Sequence, residues 1–308
     1  MFNKKALTLS LLLSVNTAAV AAPLTYDLKP QKIAENTWVL KGALEDFSRK
    51  NGGNIVNTGF VVTEEGVLVI DTGPSLKYGE EMKAAIAEIT DKPIKYVLNT
   101  HSHPDHFLGN QAFSNSDILA LPKTNEQLAL HGDAFAGNMY RLVGDWMRST
   151  EVKLPTQDLK VDKLKLGSHQ FSLMSFTGHT GSDLVVYDRK TGVLFASDMV
   201  FFQRALTTPH TPGLDVWFKE IEKLEAIDYK VIVPGHGPVS KDKDSLKQMK
   251  RYLLWLDETL IDAAQKGLSM TEVIRIPINE VFPDIKLTRH EFIRTVAHLY
   301  PLYEDKYF

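Results

Sequence analysis

Apolar residues in this chain come in short runs closed by polar or glycine punctuation, and these runs alternate with stretches whose apolar positions recur at helical spacing. From Asn54, "NIVNTGFVV", a "TEEG" turn and "VLVIDTG" predict a hairpin. "SLKYGEEMKAAIAEIT" predicts a helix and "IKYVLNT" a short strand after it. Residues 106 to 113 open a short helix in this reading, "ILALP" is a strand, and "KTNEQLALHGDAFAGNMYRLVGDWM" holds one or two helices. Further on, "LKLGSHQFSLMSF" and "SDLVVYDRKTGVLFASD" read as hairpins, with Arg189 to Gly192 in turn positions. A helix from Asp215 to Ala226 precedes the strand "KVIVP", Asp242 to Lys266 is an amphipathic helix, and the last forty residues are mixed in pattern. Two strand-rich halves, each flanked by helices, predict an α/β protein: two stacked sheets with helices on both outer faces, an αββα sandwich. There is no internal repeat or low-complexity linker, so residues 22–308 are expected to form a single domain with a helical C-terminal extension.

The first residues break this pattern. Lys4 and Lys5 precede an apolar segment from Ala6 to Val20, and the stretch closes with the small-residue triplet Ala19, Val20, Ala21. That is the plan of a secretory signal peptide cut after Ala21, since the apolar segment falls short of the ~20 residues that span a bilayer. The expected product is a periplasmic protein with no membrane attachment after cleavage. A chain of 308 residues, 44% hydrophobic and 24% charged, has enough apolar surface for a sizeable core. Cysteine is absent, which removes disulfides and thiolate chemistry and leaves nitrogen and oxygen as the donors for any metal. The formal charge of −3 becomes about −5 once Lys4 and Lys5 leave, and no basic run marks a nucleic-acid surface, so small molecules are the expected substrates.

Candidate chemistry is concentrated in "VLNTHSHPDHFLGN", where three of ten histidines and an aspartate fall within six residues. His101 and His103 alternate along an extended loop, and Pro104 then starts a turn that carries Asp105 and His106. Imidazole suits zinc, and carboxylate supplies an anionic complement. The competing reading is a chance histidine-rich loop with Asp105 as a helix cap. Three further signals each stand at the end of an apolar segment: His179 in "TGHTGSD", Asp198 in "FASDMV" and His236 in "PGHGPV".

The H-x-H-x-D-H run at His101 to His106, the later GH, SD and GHG elements and the upstream "DTG" at Asp71 resemble the metallo-β-lactamase superfamily of metallohydrolases over roughly residues 54 to 240. The resemblance implies an αββα sandwich with paired metals at the edge of the two sheets. It implies His101, His103 and His179 at one metal, Asp105, His106 and His236 at the other, and Asp198 between them, with Asp105 and Asp198 as the catalytic anionic ligands. Asp71 would orient a ligand through a hydrogen bond, or be a plain turn residue before Gly73. Two cations, by default Zn2+ with iron or manganese compatible, would polarise a shared water to attack an electrophile. An aspartate at position 198 looks more like the hydroxyacylglutathione hydrolase pattern than the cysteine common in zinc β-lactamases, which ranks thioester, ester or lactone cleavage above β-lactam cleavage. Three alternatives stay open: a β-lactamase, a one-iron persulfide dioxygenase using His101, His179 and Asp198, and a non-catalytic metal-bearing maturation factor. The textures of "NGGNIVNTGFVV" and "TTPHTPGLDVWFKEIEKL" resemble zinc metallohydrolases of the quinoprotein relay group, which implies a periplasmic quinoprotein dehydrogenase as partner.

Arg204 and His210, in "FFQRALTTPHTPGL", either reach the cleft to bind an anionic group or move protons, or are solvated loop residues. The segment from Gly42 to Asn51 is expected to form a flap carrying Phe47. His131, His169, His290 and His298 lie outside the ligand pattern and are read as structural. The aromatics Phe292, Tyr300, Tyr303 and Phe308 either pack on the sandwich or form a dimer surface.

Overall fold

The computed structural model describes residues 23–308, so the signal-peptide reading of residues 1–21 lies outside the described residues. Strands β1 (Gln31–Ala34), β2 (Thr37–Leu40), β3 (Thr58–Val62), β4 (Val67–Ile70), β5 (Ile94–Leu98), β6 (Asp117–Ala120) and β7 (Gln157–Asp158) form one sheet in chain order. Its first four strands pair antiparallel and β4 to β7 pair parallel. The second sheet has the order β12-β11-β10-β9-β8, from β8 (Lys163–Leu166), β9 (His169–Phe176), β10 (Asp183–Asp188), β11 (Val193–Phe201) and β12 (Val231–His236). The helices are α1 (Leu76–Ala87), α2 (Pro104–Phe107), α3 (Pro122–Val143), α4 (Leu214–Glu225), α5 (Asp244–Gln265), α6 (Met270–Val273), α7 (Ile278–Val281) and α8 (Thr288–Tyr307).

Layering follows from alternation along strands that are buried on both faces. In β4, Val67 and Val69 pack with Tyr78, Met82 and Ile86 of α1, while Leu68 and Ile70 face the second sheet. In β10 to β12, Leu184, Val186, Val193, Phe195, Val231 and Val233 fill the space between the sheets, and Val185, Leu194, Ala196 and Ile232 turn outward to α4, α5 and α8. A strand covered on both sides needs apolar residues at every position, which is why these segments read as continuous runs. Each such Val, Leu, Ile or Phe side chain contributes about 1.5–3 kcal/mol through burial. The αββα sandwich expected from the sequence is the fold observed.

Three local expectations need correction. The first hairpin strand begins at Thr58 rather than Asn54, because Asn57 turns away to bind the end of β12: its Nδ2 donates to the carbonyls of Pro234 and Gly237 at 2.8 and 2.7 Å. Residues 106–113 divide into α2 and a separate 3-10 turn at Asn110–Phe113. The mixed C-terminus is largely helical, since Phe292, Val296, Leu299 and Tyr300 form one buried stripe of α8. Phe292 and Tyr300 are therefore core residues, Tyr303 packs partly against the same core, and Phe308 is exposed. Among the described residues, no helix is long and apolar enough to cross a membrane.

Candidate metal centre

Strand ends from both sheets meet at one edge of the sandwich. Leu184 N–H donates to Thr100 O at 2.8 Å and Asn57 N–H to Gly235 O at 2.7 Å, which ties the loop after β5 to the second sheet and β12 to the first. His101 and His103 follow β5; Pro104 then opens α2, placing Asp105 and His106 in its single turn. His103 is the N-cap residue and makes no side-chain cap bond, and Asp105 lies inside the helix, so the capping alternative for Asp105 does not hold. His179 follows β9 in a turn fixed by two carboxylates. Asp183 accepts from His179 N at 3.0 Å and from Thr180 Oγ1 at 2.6 Å, and Glu220 of α4 accepts from Thr177 N at 2.8 Å and Gly178 N at 2.7 Å. Asp198 stands within β11 rather than at its end, and His236 closes β12. Gly235 makes that approach possible: a Cβ there would lie 1.9 Å from Asp198 Oδ1.

All seven expected ligands converge. Donor atoms of His101, His103, His179 and Asp198 lie within 4.8 Å of one another, and so do those of Asp105, His106 and His236. Asp198 faces both sets. Its Oδ2 is 3.2 Å from His179 Nε2 and 3.3 Å from His236 Nε2, and its Oδ1 is 3.2 Å from His106 Nε2. Asp105 Oδ2 stands 3.4 Å from His236 Nε2 and 3.8 Å from His106 Nε2.

The far sides of the rings are fastened to protein. His106 Nδ1 donates to Asp71 Oδ2 at 2.8 Å, and His236 Nδ1 to Ile55 O at 2.8 Å. Asp71 also accepts from Thr100 N and Thr100 Oγ1, both at 2.8 Å, so it is a buried anchor rather than a simple turn residue. Burial pushes the Asp71 carboxyl above its ordinary range, and His106 and Thr100 offset only part of this. Burial likewise opposes the charge on Asp198, but His236 and His106 outweigh it and hold this carboxyl well below the usual carboxylate range. His106 is held well above the ordinary histidine range: burial opposes protonation, and Asp198, Asp71 and Asp105 prevail. His101 and His103 are driven well below that range, first by burial and then by neighbouring imidazoles.

These residues fit a metal. Among the described residues, His101 Nε2, His106 Nε2 and Asp198 Oδ1 are buried with no hydrogen-bond partner, an arrangement costly unless something else fills the space between them. Nitrogen and carboxylate oxygen are donors that zinc, iron and manganese accept.

Residues 51–236 match the family model described as the metallo-beta-lactamase superfamily. The chain belongs to the metallo-beta-lactamase superfamily. Among curated proteins it is similar to a linear primary-alkylsulfatase of a Pseudomonas species, 24% identical over 256 residues that cover 68% of this chain and 47% of that enzyme. It is also similar to the human acyl-coenzyme A thioesterase MBLAC2, 24% identical over 208 residues covering 60% and 74% of the two chains. The chain thus spans about half the length of the alkylsulfatase. Among solved structures, a metallo-beta-lactamase from Pontibacter korlensis superposes with a TM-score of 0.60 at 23% identity, over 74% of this chain and 99% of that one. The metallo-beta-lactamase IND-7 gives 0.60 at 23%, over 75% and 100%. Both likenesses concern the fold.

In this member of the superfamily the donor cluster floors a cavity of about 200 Å³. Phe47 and Asp46 wall it from the expected flap, Phe135 from α3, and Arg204, Pro209 and His210 from the loop after β11. Arg204 is no solvated loop residue. It is 2% exposed, donates to Ala205 O at 2.9 Å and pairs with Glu291 Oε1 of α8 at 3.4 Å. His210 is exposed, and its Nδ1 meets His103 Nε2 at 2.7 Å. His169 lies away from the cluster, paired with Asp188, and His290 ties Asp46 to α8 at 3.0 Å. Arg294 of α8 also lines the cavity and pairs with Glu291 Oε2 at 3.1 Å. Sequence reading missed Asn57, Asp183, Glu220, Glu291 and Arg294; only Asp183, four residues after His179, sits inside a motif that could have suggested it.

Proposed function

We propose that this chain is a metal-dependent hydrolase holding two divalent ions, zinc by default, and cleaving a thioester, ester or lactone in a small molecule. The convergence of seven donors, all buried except the half-buried His103, into two sets that Asp198 faces carries this reading. It favours two ions over a one-iron site built on His101, His179 and Asp198 alone, because Asp105, His106 and His236 are also assembled. The named relatives add support: one is an acyl-coenzyme A thioesterase and another an alkylsulfatase.

His101, His103 and His179 would hold one ion and Asp105, His106 and His236 the other, with Asp198 reaching both. Divalent ions so held supply Lewis acidity and lower the pKa of water to near neutrality. Asp105 and Asp198 offset part of the added positive charge. Asp71 keeps the proton of His106 on Nδ1, which leaves Nε2 free to coordinate. Ile55 O does the same for His236. Phe47, Phe135 and Pro209 shield the substrate from bulk water, and Arg204 adds positive charge to the wall.

Metal content measured on protein purified without added metal, with a panel of thioester, lactone, carboxylic, sulfate and phosphate esters and a β-lactam, tests the proposal. The expected result is about two ions per chain and turnover of a thioester, ester or lactone. Turnover of none by the metal-loaded protein would overturn it. A single iron with oxygen uptake on glutathione persulfide would replace it with the dioxygenase reading.

Export to the periplasm and association with a quinoprotein dehydrogenase complete the proposal. Their support is the composition of residues 1–21 and the texture of the segments around Asn51 and Thr207. A mature N-terminus at Ala22 is expected; retention of Met1 in the functional protein would defeat the export reading.

A further inference from the structure

His103 differs from the other candidate ligands in how it meets the cluster. His106 and His236 present Nε2 to the carboxylates and bond through Nδ1 to an acceptor of the protein, Asp71 or Ile55 O. His103 is reversed: its Nδ1 faces His179 Nε2 at 2.9 Å, and its Nε2 points outward. The group that meets this outward nitrogen is another imidazole, His210 Nδ1, at 2.7 Å. Two ring nitrogens at that separation need a proton between them. If His103 Nδ1 keeps its lone pair for a cation, the proton must sit on Nε2, and His210 Nδ1 must accept it.

The loop that carries His210 is fastened on both sides of it. Thr211 Oγ1 donates to the carbonyl of Gly178, next to His179, at 2.6 Å. Thr208 Oγ1 donates to Thr295 Oγ1 of α8 at 3.0 Å. Phe135 backs the arrangement, its centroid 6.0 Å from that of His210 and 6.4 Å from that of His103, with both rings meeting it edge-on. The position is therefore built, although His210 itself is exposed.

We infer that His210 is a positioning residue: as hydrogen-bond acceptor it fixes the tautomer and aim of His103 at the ion shared with His101 and His179. This inference rests on the metal-dependent reading above and adds to it. A ligating histidine whose other nitrogen loses its partner typically binds metal 10–100-fold more weakly. Among the described residues, no carboxylate or carbonyl is bonded to His103 Nε2 to replace His210.

The test is zinc affinity, measured by competition with a chromophoric chelator on the full chain stripped of metal, for the wild type, His210→Ala, His210→Gln and the control His131→Ala. His210→Ala is expected to weaken one of the two zinc equivalents by about 10–100-fold and leave the other unchanged. His210→Gln, whose side-chain carbonyl can accept the same proton, should recover much of that loss, and His131→Ala should match the wild type. Thermal unfolding of the metal-free proteins should coincide. Wild-type affinity in His210→Ala would overturn the inference while leaving the hydrolase reading intact. Equal weakening of both equivalents together with a destabilised metal-free protein would also overturn it, as the mark of a general structural role. A wild-type chain that takes up no zinc, iron or manganese would defeat both readings together.

Discussion

Two buried histidine–aspartate pairs of nearly equal length lie at opposite ends of the sandwich. His106 and Asp71 meet at 2.8 Å at the candidate metal centre, and His169 and Asp188 meet at 2.9 Å at the far end of β9 and β10. About 20 Å of extended strand separates His169 from the loop of His179. The pairs differ in what stands behind them. His106 Nε2 faces Asp198 and Asp105, whereas His169 Nε2 is buried without a partner among the described residues and its ring stacks on Phe171. Burial pushes Asp71 up, while at Asp188 burial is outweighed by His169 and Thr191, which hold its carboxyl below the ordinary range. One hydrogen bond thus orients a candidate ligand within a donor cluster, and the other fastens a hairpin.

The largest expected effect tests the cluster on which the contrast depends. Asp198→Ala should lower hydrolysis by about a thousandfold or more, the scale of losing several kcal/mol of charge stabilisation, and should deplete both ions. Retained turnover with both ions bound would erase the distinction between the two ends.

Next in size, Asp71→Asn places an amide donor against His106 Nδ1 and forces the proton to Nε2. Metal affinity should fall by roughly 10–100-fold at one site, as read by chelator competition. The matching change at the other end, Asp188→Asn, should leave metal content unaltered and cost about 1–3 kcal/mol of stability in denaturant unfolding. If Asp188→Asn instead reduced metal content, the far pair would be coupled to the site and the contrast would fail.

Acid separates the ends further. Because the folded Asp188 carboxyl is depressed, its stabilisation is fully present above the unfolded-state value and disappears as pH falls through the lower folded value. Asp188→Asn should flatten that part of the acid-unfolding profile. The smallest effect concerns Glu64, also at the far end, whose carboxyl is lowered to about 2 by bonds from Ser168 Oγ and N. Glu64→Gln should change acid unfolding only slightly, between the ordinary carboxylate range and about pH 2, because the group is exposed and solvent-screened.

Much of this molecule was readable from its letters. Alternation and apolar runs marked most of the strands, and the resemblance of the histidine–aspartate motifs to the superfamily implied the seven donors. The helix α8 was not read although the spacing of Phe292, Val296, Leu299 and Tyr300 is helical, because interspersed charges and Pro301 masked the pattern. Asn57, Glu220 and Glu291 were not readable. Each acts on a group far away in the chain: Asn57 on residues 177 and 180 positions later, Glu220 on a turn 42 and 43 positions earlier, Glu291 on Arg204, 87 positions earlier. An isolated polar residue carries no mark of such a partner.

Local order in the sequence determined the elements, the two-sided burial of the strands and the chemical type of the candidate ligands, because periodicity and donor identity are properties of neighbours along the chain. Only the tertiary structure decided which histidine–aspartate pair stands at the candidate metal centre, that His103 is turned opposite to its companions, and that α8 supplies the partner of Arg204. These outcomes depend on distances between segments remote in sequence. They are fixed when the two sheets pack and bring their loop ends to one edge.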